Sequence, residues 1–337
     1  MSDSIQDKIK KLNEKYESMG QDINSYLDGL LLSNYLTYWD YIHVDTLLTL
    51  QRPRTDYPDE EIFILYHQIT ELYFKLCLNE FEQISRNGKI MGENGRDQGW
   101  NTELKLHFFT ERLRRINSYF EALTKSFEIM VDGMEKDQFL KFRMALLPAS
   151  GFQSAQYRMI EIASTDMGRL VAKEQRKATG AEDGRSIEEL FEHIYWKQGA
   201  TEAATGKKTL TLRQFEEKYS AQFVEMAKGF ASRNMWQKYL GLSDSDQRDP
   251  ELIRQLRMLD VNVNVNWPLQ HYKSAVRYLA SKKGDAPATG GTNWQKYLPP
   301  RLQLRVFYPS LWSKDELSNW GRAWVEEVFS DQLKVKN

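Results

Sequence analysis

Two histidines in this sequence stand where an imidazole could do chemistry. His67 lies in the apolar stretch FILYHQITELYFK, and His271 follows the short sequence Trp-Pro-Leu-Gln. An imidazole can bind a metal, accept a hydrogen bond or a proton, or simply fill a polar position in a core. The chain has five histidines in all, so a site built from several of them would use most of the supply.

The sequence lacks the motifs of multi-ligand metal sites and of the common nucleophilic enzymes. It contains no His-Glu-x-x-His, Cys-x-x-Cys, Gly-x-x-x-x-Gly-Lys or Gly-x-Ser-x-Gly, and no Glu-x-x-His of the di-iron bundles. A metal would therefore suit a site that needs a single protein ligand. Haem fits this condition, because the porphyrin supplies four iron ligands and one histidine from the protein suffices.

Composition excludes several classes of protein. The chain has 337 residues, 41% of them hydrophobic and 28% charged, which predicts a globular protein with a sizeable core. A net charge of −1 argues against a nucleic-acid partner.

The single cysteine, Cys77, cannot form an internal disulfide or a thiolate zinc cluster and suits a reducing compartment. No apolar run approaches the roughly 18 residues that span a bilayer, and the first residues lack the apolar core of a signal peptide. We expect a cytoplasmic protein without a membrane partner.

Spacing places two further pairs of residues on shared helix faces. Phe63 and His67 are separated by four residues, as are Phe139 and Arg143, so each pair lies on one face of a helix. Arg143 sits among apolar neighbours, where a guanidinium is costly unless it is paired, and its planar fork suits a ligand carboxylate. The alternative is a surface arginine that keeps its head in water.

Helical periodicity predicts most of the elements that must position these residues. An apolar stripe from Ile5 to Met19 predicts a helix in the segment 1–33 that docks on its own body or on a partner subunit. Pro58, followed by three acidic residues, predicts the start of the helix that carries His67. Further helices are predicted over 34–51, 102–128, 135–147 and 185–198, and one beginning at 150.

Strand signals are scarce, and the fold class follows from that. The sequence VNVNVN at 261–266 alternates as a strand would, but it is short and isolated. Polar stretches at 178–185, 242–250 and 281–293 predict loops. We predict an all-α fold with one domain over 1–337 and a small helical insertion across about 175–255.

Several separated motifs resemble, in their order along the chain, those of the tryptophan 2,3-dioxygenase family. They are Tyr38-x-x-Tyr41, Phe63-x-x-x-His67, Arg143 followed by PASGFQSAQYR, Trp267-x-x-x-His271, TGGT from Thr289, and FYPSLW at 307–312. The resemblance is dense over about 35–165, thin through 175–255, and recovers over 265–312.

The resemblance implies an all-α enzyme with haem b as cofactor and O2 as co-substrate. Members of the family cleave the indole C2–C3 bond of L-tryptophan to give N-formylkynurenine, in the kynurenine pathway of tryptophan catabolism. They are typically homotetramers, dimers of dimers, so we expect the N-terminal segment to reach a neighbouring subunit.

The resemblance also implies roles for individual residues. His271 would be the axial ligand of the haem iron, with Ser150 and Gly151 beside the haem. His67 would be the catalytic residue that faces the indole N–H. The substrate pocket would be formed by Phe63, Ile64, Leu65, Tyr66, His67, Phe139, Arg143 and Thr289, with Tyr38, Tyr41 and Ile42 reaching in from a neighbouring subunit.

Three departures from the family pattern leave two alternatives open. The family usually has Trp-Arg before the proximal histidine where this chain has Trp267-Pro268, the loop after Thr289 contains Asn293-Trp294, and Trp39-Asp40 stand between the two tyrosines. One alternative is a related haem enzyme that inserts a single oxygen atom into an indole to make an oxindole. The other is a helical scaffold that has lost haem.

Overall fold

The structure is a computed structural model that describes residues 3–176, 184–201, 207–280 and 294–322. Over these ranges the regular structure is helical, apart from one two-stranded hairpin and isolated bridges. The prediction of an all-α fold is confirmed. The chain divides into two compact units, Met1–Arg52 and Pro53–Asn337.

The first unit consists of short helices. They are α1 (Ile5–Ser18), α2 (Ile23–Leu32), α3 (Tyr38–Ile42) and α4 (Val44–Leu47). The predicted docking segment 1–33 thus holds two helices, because Gly20 adopts a φ of +68° and Asp22 caps the start of α2 through the N–H of Asn24. The predicted helix over 34–51 is likewise two short helices.

The second unit opens with the longest helix of the described chain, α5 (Asp59–Ser85). It begins directly after Pro58 with three acidic residues in its first turn, as predicted. An antiparallel hairpin follows, β1 (Lys89–Met91) with β2 (Asp97–Trp100), which was not predicted. Then come α6 (Leu106–Ser126), α7 (Glu128–Val131) and α8 (Lys136–Phe142). A 3-10 turn, Arg143–Leu146, continues α8.

The remaining helices complete the second unit. They are α9 (Ala155–Ser164), α10 (Met167–Leu170), α11 (Ile187–Glu192), α12 (Tyr195–Gly199), α13 (Leu210–Phe230), α14 (Met235–Leu240), α15 (Asp244–Gln247), α16 (Pro250–Val261), α17 (Trp267–Leu279), α18 (Trp294–Tyr297), α19 (Pro300–Gln303) and α20 (Lys314–Ser318). Short 3-10 turns lie at Gly151–Gln153, Lys173–Gln175 and Pro309–Leu311.

One local prediction in this part was wrong, and one alternating stretch is not a strand. The stretch 242–250, predicted as a loop, contains α15, because the Ser243 side chain caps a short helix through the N–H of Asp246. The alternating stretch VNVNVN is not a strand: Asn262–Asn266 forms a π-helical turn between α16 and α17. Most of that turn is buried, so the alternation of valine and asparagine does not mark two faces of a sheet.

The core of the second unit is organised around α5. This helix packs against α6, α8 and α9, while α16 packs on α6 and α13 on α9. Large side chains such as Phe74, Phe81 and Phe120 are fully buried between these helices. Helix α17 contacts α6, α7 and α8, so α5 and α17 border the same group of helices. In the part of the chain that the structure describes, no helix combines the length and the apolar character needed to cross a bilayer.

Candidate functional site

The imidazole of His67 lies half-buried on α5, in a defined tautomer. Its Nδ1 lies 2.7 Å from the backbone carbonyl oxygen of Phe63, one turn earlier. A carbonyl oxygen only accepts, so Nδ1 carries the hydrogen and Nε2 holds the lone pair. Burial lowers the pKa of His67 below its ordinary value and keeps the ring neutral.

His271, on α17, is held in the same way. Its Nδ1 lies 3.1 Å from the carbonyl oxygen of Trp267, which leaves the lone pair on Nε2. The rings of Trp267 and Phe127 pack against it, each with its centroid 4.7 Å away. Burial, with smaller contributions from the neighbouring His67 and Arg158, lowers the pKa of His271 to about 4.

The two imidazoles lie on different helices, α5 and α17. His67 contributes to lowering the pKa of His271, and no hydrogen bond to Nε2 of either ring is found in the described chain. Among the residues that the structure describes, no three His, Cys, Asp or Glu side chains gather closely enough to hold a metal ion. Each of the two helices therefore offers a ligand a single imidazole and not a protein cage.

An aromatic wall connects the two helices. The Phe63 ring lies 4.1 Å from the His67 ring, centroid to centroid, and 6.4 Å and 5.9 Å from the rings of Phe139 and Phe142 on α8. Phe139 in turn lies 4.6 Å from the ring of Tyr278 on α17. These contacts form a continuous apolar surface suited to a flat, aromatic ligand.

Arg143 brings a cation to the end of this wall. It follows Phe142 directly, at the junction of α8 with the 3-10 turn, and only 7% of its surface is exposed. Burial lowers the pKa of its guanidinium, but a guanidinium stays protonated at any physiological pH. A buried cation beside an apolar wall is suited to the acidic end of an otherwise aromatic ligand.

Ser150 and Gly151 lie on the next turn of chain. The Ser150 hydroxyl accepts a hydrogen bond from the N–H of Phe152 at 3.4 Å and so caps the turn Gly151–Gln153. A Cβ placed on Gly151 would lie 3.9 Å from Nε2 of His67. The absence of a side chain at Gly151 therefore keeps space open beside the lone pair of His67.

The other predicted pocket residues of α5 point in different directions. Tyr66 is buried, donates its hydroxyl to the carbonyl oxygen of Leu123 at 3.2 Å, and packs on Phe127, which itself contacts the ring of His271. Ile64 is half-buried. Leu65 is 36% exposed, so the structure does not bring it to the face that carries His67.

The remaining predicted site residues lie in the first unit or outside the described residues. Tyr38, Tyr41 and Ile42 belong to the first unit, where they are 72%, 73% and 38% exposed. Thr289 lies outside the described residues.

Several residues that shape the site could not be found from local sequence signals. Phe127 contacts the ring of His271, Phe142 that of Phe63, and Tyr278 that of Phe139. Nothing in the spacing of these residues along the chain predicts the contacts.

A buried ionic network near His271 was also missed. The Glu161 carboxylate accepts from Arg158 at 3.2 Å, from the Tyr195 hydroxyl at 2.6 Å, and from Arg305. Two guanidinium groups thus share one carboxylate, and the Nε atoms of both arginines are buried without a hydrogen-bond partner. The surplus positive charge is felt at His271, whose pKa Arg158 lowers.

The chain is similar in sequence to known proteins. The sequence model of a family described as tryptophan 2,3-dioxygenase matches residues 30–179. A protein of Nocardioides sp. named tryptophan 2,3-dioxygenase is 30% identical over 285 residues, which cover 82% of this chain and 92% of that protein. A protein of the same name from Ruegeria sp. is 27% identical, covering 82% and 91%.

A third relative concentrates the similarity in one part of the chain. A protein of Sorangium cellulosum, also named tryptophan 2,3-dioxygenase, is 38% identical over 135 residues, which cover 38% of this chain and 30% of that protein. Since the match to the Nocardioides protein extends over most of both chains, the predicted resemblance to this family is confirmed. This chain belongs to the tryptophan 2,3-dioxygenase family of oxidoreductases.

Proposed function

We propose that this protein is a haem-dependent enzyme of tryptophan catabolism that cleaves the indole C2–C3 bond of L-tryptophan with O2 to give N-formylkynurenine. The observation that carries the proposal is the pair of half-buried neutral imidazoles, His67 and His271, each bonded through Nδ1 to its own helix. The names of the relatives support a dioxygenase. The mono-oxygenase alternative is not favoured.

The residues at the site fit a haem. His271 offers one neutral nitrogen, Nε2, and haem iron needs no more than one protein ligand on that side. The surplus positive charge of Arg158 and Arg305 over Glu161, with two unpartnered Nε atoms, suits a cofactor that carries carboxylates. A haem bound there would supply the oxidative chemistry with O2, which side chains alone cannot perform.

His67 would act on the indole and not on the iron. Its Nε2 lone pair can accept a hydrogen bond from the indole N–H, and this favours positive charge on the ring while O2 adds to it. Burial keeps the imidazole neutral for that purpose. Gly151 leaves the space beside Nε2 that such a ligand needs. We assign His67 the catalytic role, and Ser150 and Gly151 a place beside the cofactor.

The amino-acid end of the substrate would be held at Arg143. Its guanidinium can pair with the α-carboxylate, while the wall of Phe63 and Phe139 holds the indole. Thr289 would complete the contact with the carboxylate and ammonium groups. Holding both ends fixes which ring carbons meet O2, and this is the main contribution that positioning makes to the rate.

We further propose that the protein is a cytoplasmic homotetramer in which Tyr38, Tyr41 and Ile42 contribute to the pocket of a neighbouring subunit. The exposure of these apolar side chains supports the proposal, since exposed apolar patches mark association surfaces.

Product analysis under labelled O2 tests the proposed reaction. Purified, reduced protein is supplied with L-tryptophan and ¹⁸O2, and the product is analysed by mass spectrometry. We expect a ring-opened product with both labelled atoms, a Soret band in the wild type, and loss of that band in His271→Ala. An intact ring with one labelled atom, or a wild type without a Soret band, would contradict the proposal.

A further inference from the structure

The π-helical turn Asn262–Asn266 lies immediately before the helix that carries His271. The N–H of Trp267 bonds to the carbonyl oxygen of Asn262, five residues earlier, instead of four. The next residue, Pro268, has no N–H, and in an α-helix its ring would clash with the carbonyl of Asn264. The wider turn avoids this clash, so the presence of proline explains why the helix departs from α geometry here.

The turn determines where the side chains of α17 point. Each residue of an α-helix advances the direction of the side chain by about 100°. A π turn accommodates one extra residue, so the residues after it are rotated relative to a continuous α-helix by about one such step. The direction of the His271 ring, four residues into α17, therefore depends on the persistence of the turn.

A chain of side-chain amides ties the turn to α6. Asn266 donates to Asn262 at 2.9 Å, Asn262 donates to Asn117 on α6 at 3.1 Å, and Asn117 donates to the side chain of Gln255 at 2.7 Å. Asn117 also donates to the Gln255 backbone carbonyl at 3.0 Å, and Gln255 donates to Glu251 at 2.8 Å. Each internal amide both donates and accepts, so the loss of one member leaves buried partners without a hydrogen bond.

The far end of α17 is fixed separately. The Tyr278 hydroxyl donates to the carbonyl oxygens of Val131, at 3.0 Å, and Met134, at 3.3 Å. His271 lies between this anchor and the amide chain. With both ends of the helix held against α6 and α7, rotation of the helix about its axis requires one of the two anchors to break.

We propose that Asn117 and Asn262 are positioning residues for His271: they hold the π turn, and the turn sets the direction in which His271 presents Nε2. The inference rests on the proposed function, in which that nitrogen binds the haem iron. Neither asparagine touches the substrate or the cofactor in this role. Their effect is exerted on the iron–imidazole bond, because an imidazole presented off axis makes a weaker bond.

Asn117→Leu and Asn262→Leu test the proposal in the haem-loaded protein. We expect each to lower the Fe–N(His271) stretching frequency of the ferrous protein in resonance Raman spectra. We also expect each to speed transfer of haem to apomyoglobin by about 10–100-fold, the loss in metal affinity that usually follows when groups supporting a metal ligand are removed. The double variant should be little worse than either single variant, because both break one chain. Wild-type frequencies in both single variants would overturn the proposal.

Val263→Ala is the matched control. Val263 is fully buried in the same turn, and its side chain takes no part in the amide chain. We expect it to lower the free energy of unfolding while leaving the Raman frequency unchanged. A shift in this control equal to that of the asparagine variants would show that loosening of the core, and not the amide chain, moves the ring.

Pro268→Ala provides a second test of the turn if the leucine variants do not fold. It leaves every buried amide paired and restores an N–H that permits the α-helical turn. We expect a frequency shift in Pro268→Ala as well, and an unchanged frequency would count against the role of the turn.

The failure of this inference can be told apart from the failure of the proposed function. If the wild type binds no haem, the proposed function fails, and crystal structures of the haem-free wild type and Asn117→Leu then decide the inference. A rotated His271 ring in the variant supports it, and an unchanged ring overturns it.

Discussion

At the scale of the residue, the same local hydrogen bond sets the tautomer of both imidazoles. The carbonyl oxygen four residues earlier accepts the hydrogen of Nδ1, at Phe63 for His67 and at Trp267 for His271. No second side chain is required for this bond, because the helix itself places the carbonyl oxygen beside the ring. In the proposed function the two rings differ in what Nε2 meets, which is haem iron at His271 and the indole N–H at His67.

The pH dependence of the reaction reports the state of His67. We expect kcat/KM for L-tryptophan to stay level as the pH falls through about 6.5, the ordinary pKa of histidine, and to drop only at lower pH. Burial lowers the pKa of His67, so Nε2 stays a neutral acceptor until the pH falls through that lowered value. A pH profile of kcat/KM measures this, and an acid limb centred at 6.5 or above would contradict it.

Replacement of His67 tests its share of the catalysis. We expect His67→Ala to lower kcat/KM by up to about 100-fold, the lower end of the usual acid–base contribution, because the indole proton need not leave in the first step. His107→Ala is the control, since His107 is an exposed histidine at the start of α6. Full activity in His67→Ala would remove His67 from the mechanism.

Arg143 should determine recognition of the carboxylate and not of the ring. We expect Arg143→Met to raise KM for L-tryptophan about 10–100-fold, the equivalent of a charged hydrogen bond of about 1.5–3 kcal/mol. Turnover of tryptamine, which lacks the carboxylate, should be the same in variant and wild type. Lys141→Met, an exposed cation on α8, is the matched control. An equal loss with both substrates would mean that Arg143 supports the fold instead.

Gly151 offers a test that separates the site from stability. A Cβ at this position would make an ordinary contact of 3.9 Å with Nε2 of His67. We therefore expect Gly151→Ala to fold with unchanged stability, or with a gain of about 0.4–1 kcal/mol from the stiffer chain, yet to raise KM for L-tryptophan. Thermal unfolding and initial rates measure the two effects. An unchanged KM in both Gly151→Ala and Gly151→Val would place the indole elsewhere.

At the scale of the element, the sequence predicts what is local and misses what depends on contacts between helices. The start of α5 at Pro58 follows from its acids, and the shared face of Phe63 and His67 from their spacing. The π turn could not be predicted from VNVNVN, because the alternation favours a strand and only the buried asparagine contacts favour the turn. Tyr278 reaches the wall through tertiary packing that leaves no trace in the sequence around it.

Asp260 on α16 should be the main anchor of the C-terminal part of the described chain. Its buried carboxylate accepts from the N–H groups of Phe307 and Tyr308, at 2.9 and 3.1 Å, and from Nε1 of Trp312 at 3.0 Å. We expect Asp260→Ala to lower the free energy of unfolding by about 3 kcal/mol or more, because each buried donor left unpaired costs about 1–3 kcal/mol. Urea unfolding measures this, with the exposed Asp315→Ala as control; equal stability of the two variants would contradict it.

At the scale of the whole molecule, the two units differ in how they are stabilised. The buried hydrophobic cluster lies within the second unit, which has a core of its own. The first unit exposes large apolar side chains instead, with Tyr35 and Leu31 at 95% and 83%. Monomers seldom leave such surface uncovered, and this supports the proposed contact of the first unit with a neighbouring subunit.

Co-expression of two impaired variants tests whether neighbouring subunits share a site. One chain carries Arg143→Met, which damages its own pocket, and the other carries Tyr38→Ala with Tyr41→Ala, which damages the residues proposed to enter a neighbour's pocket. Each homo-oligomer should have low activity. In mixed oligomers, the first unit of the Arg143→Met chain can complete the intact pocket of the other chain, so we expect activity to return when the two are co-expressed. Because a pocket completed within its own chain could not be rescued in this way, activity that stays at the level of the separate variants, in oligomers shown by mass spectrometry to be mixed, would place Tyr38 and Tyr41 outside the neighbouring site.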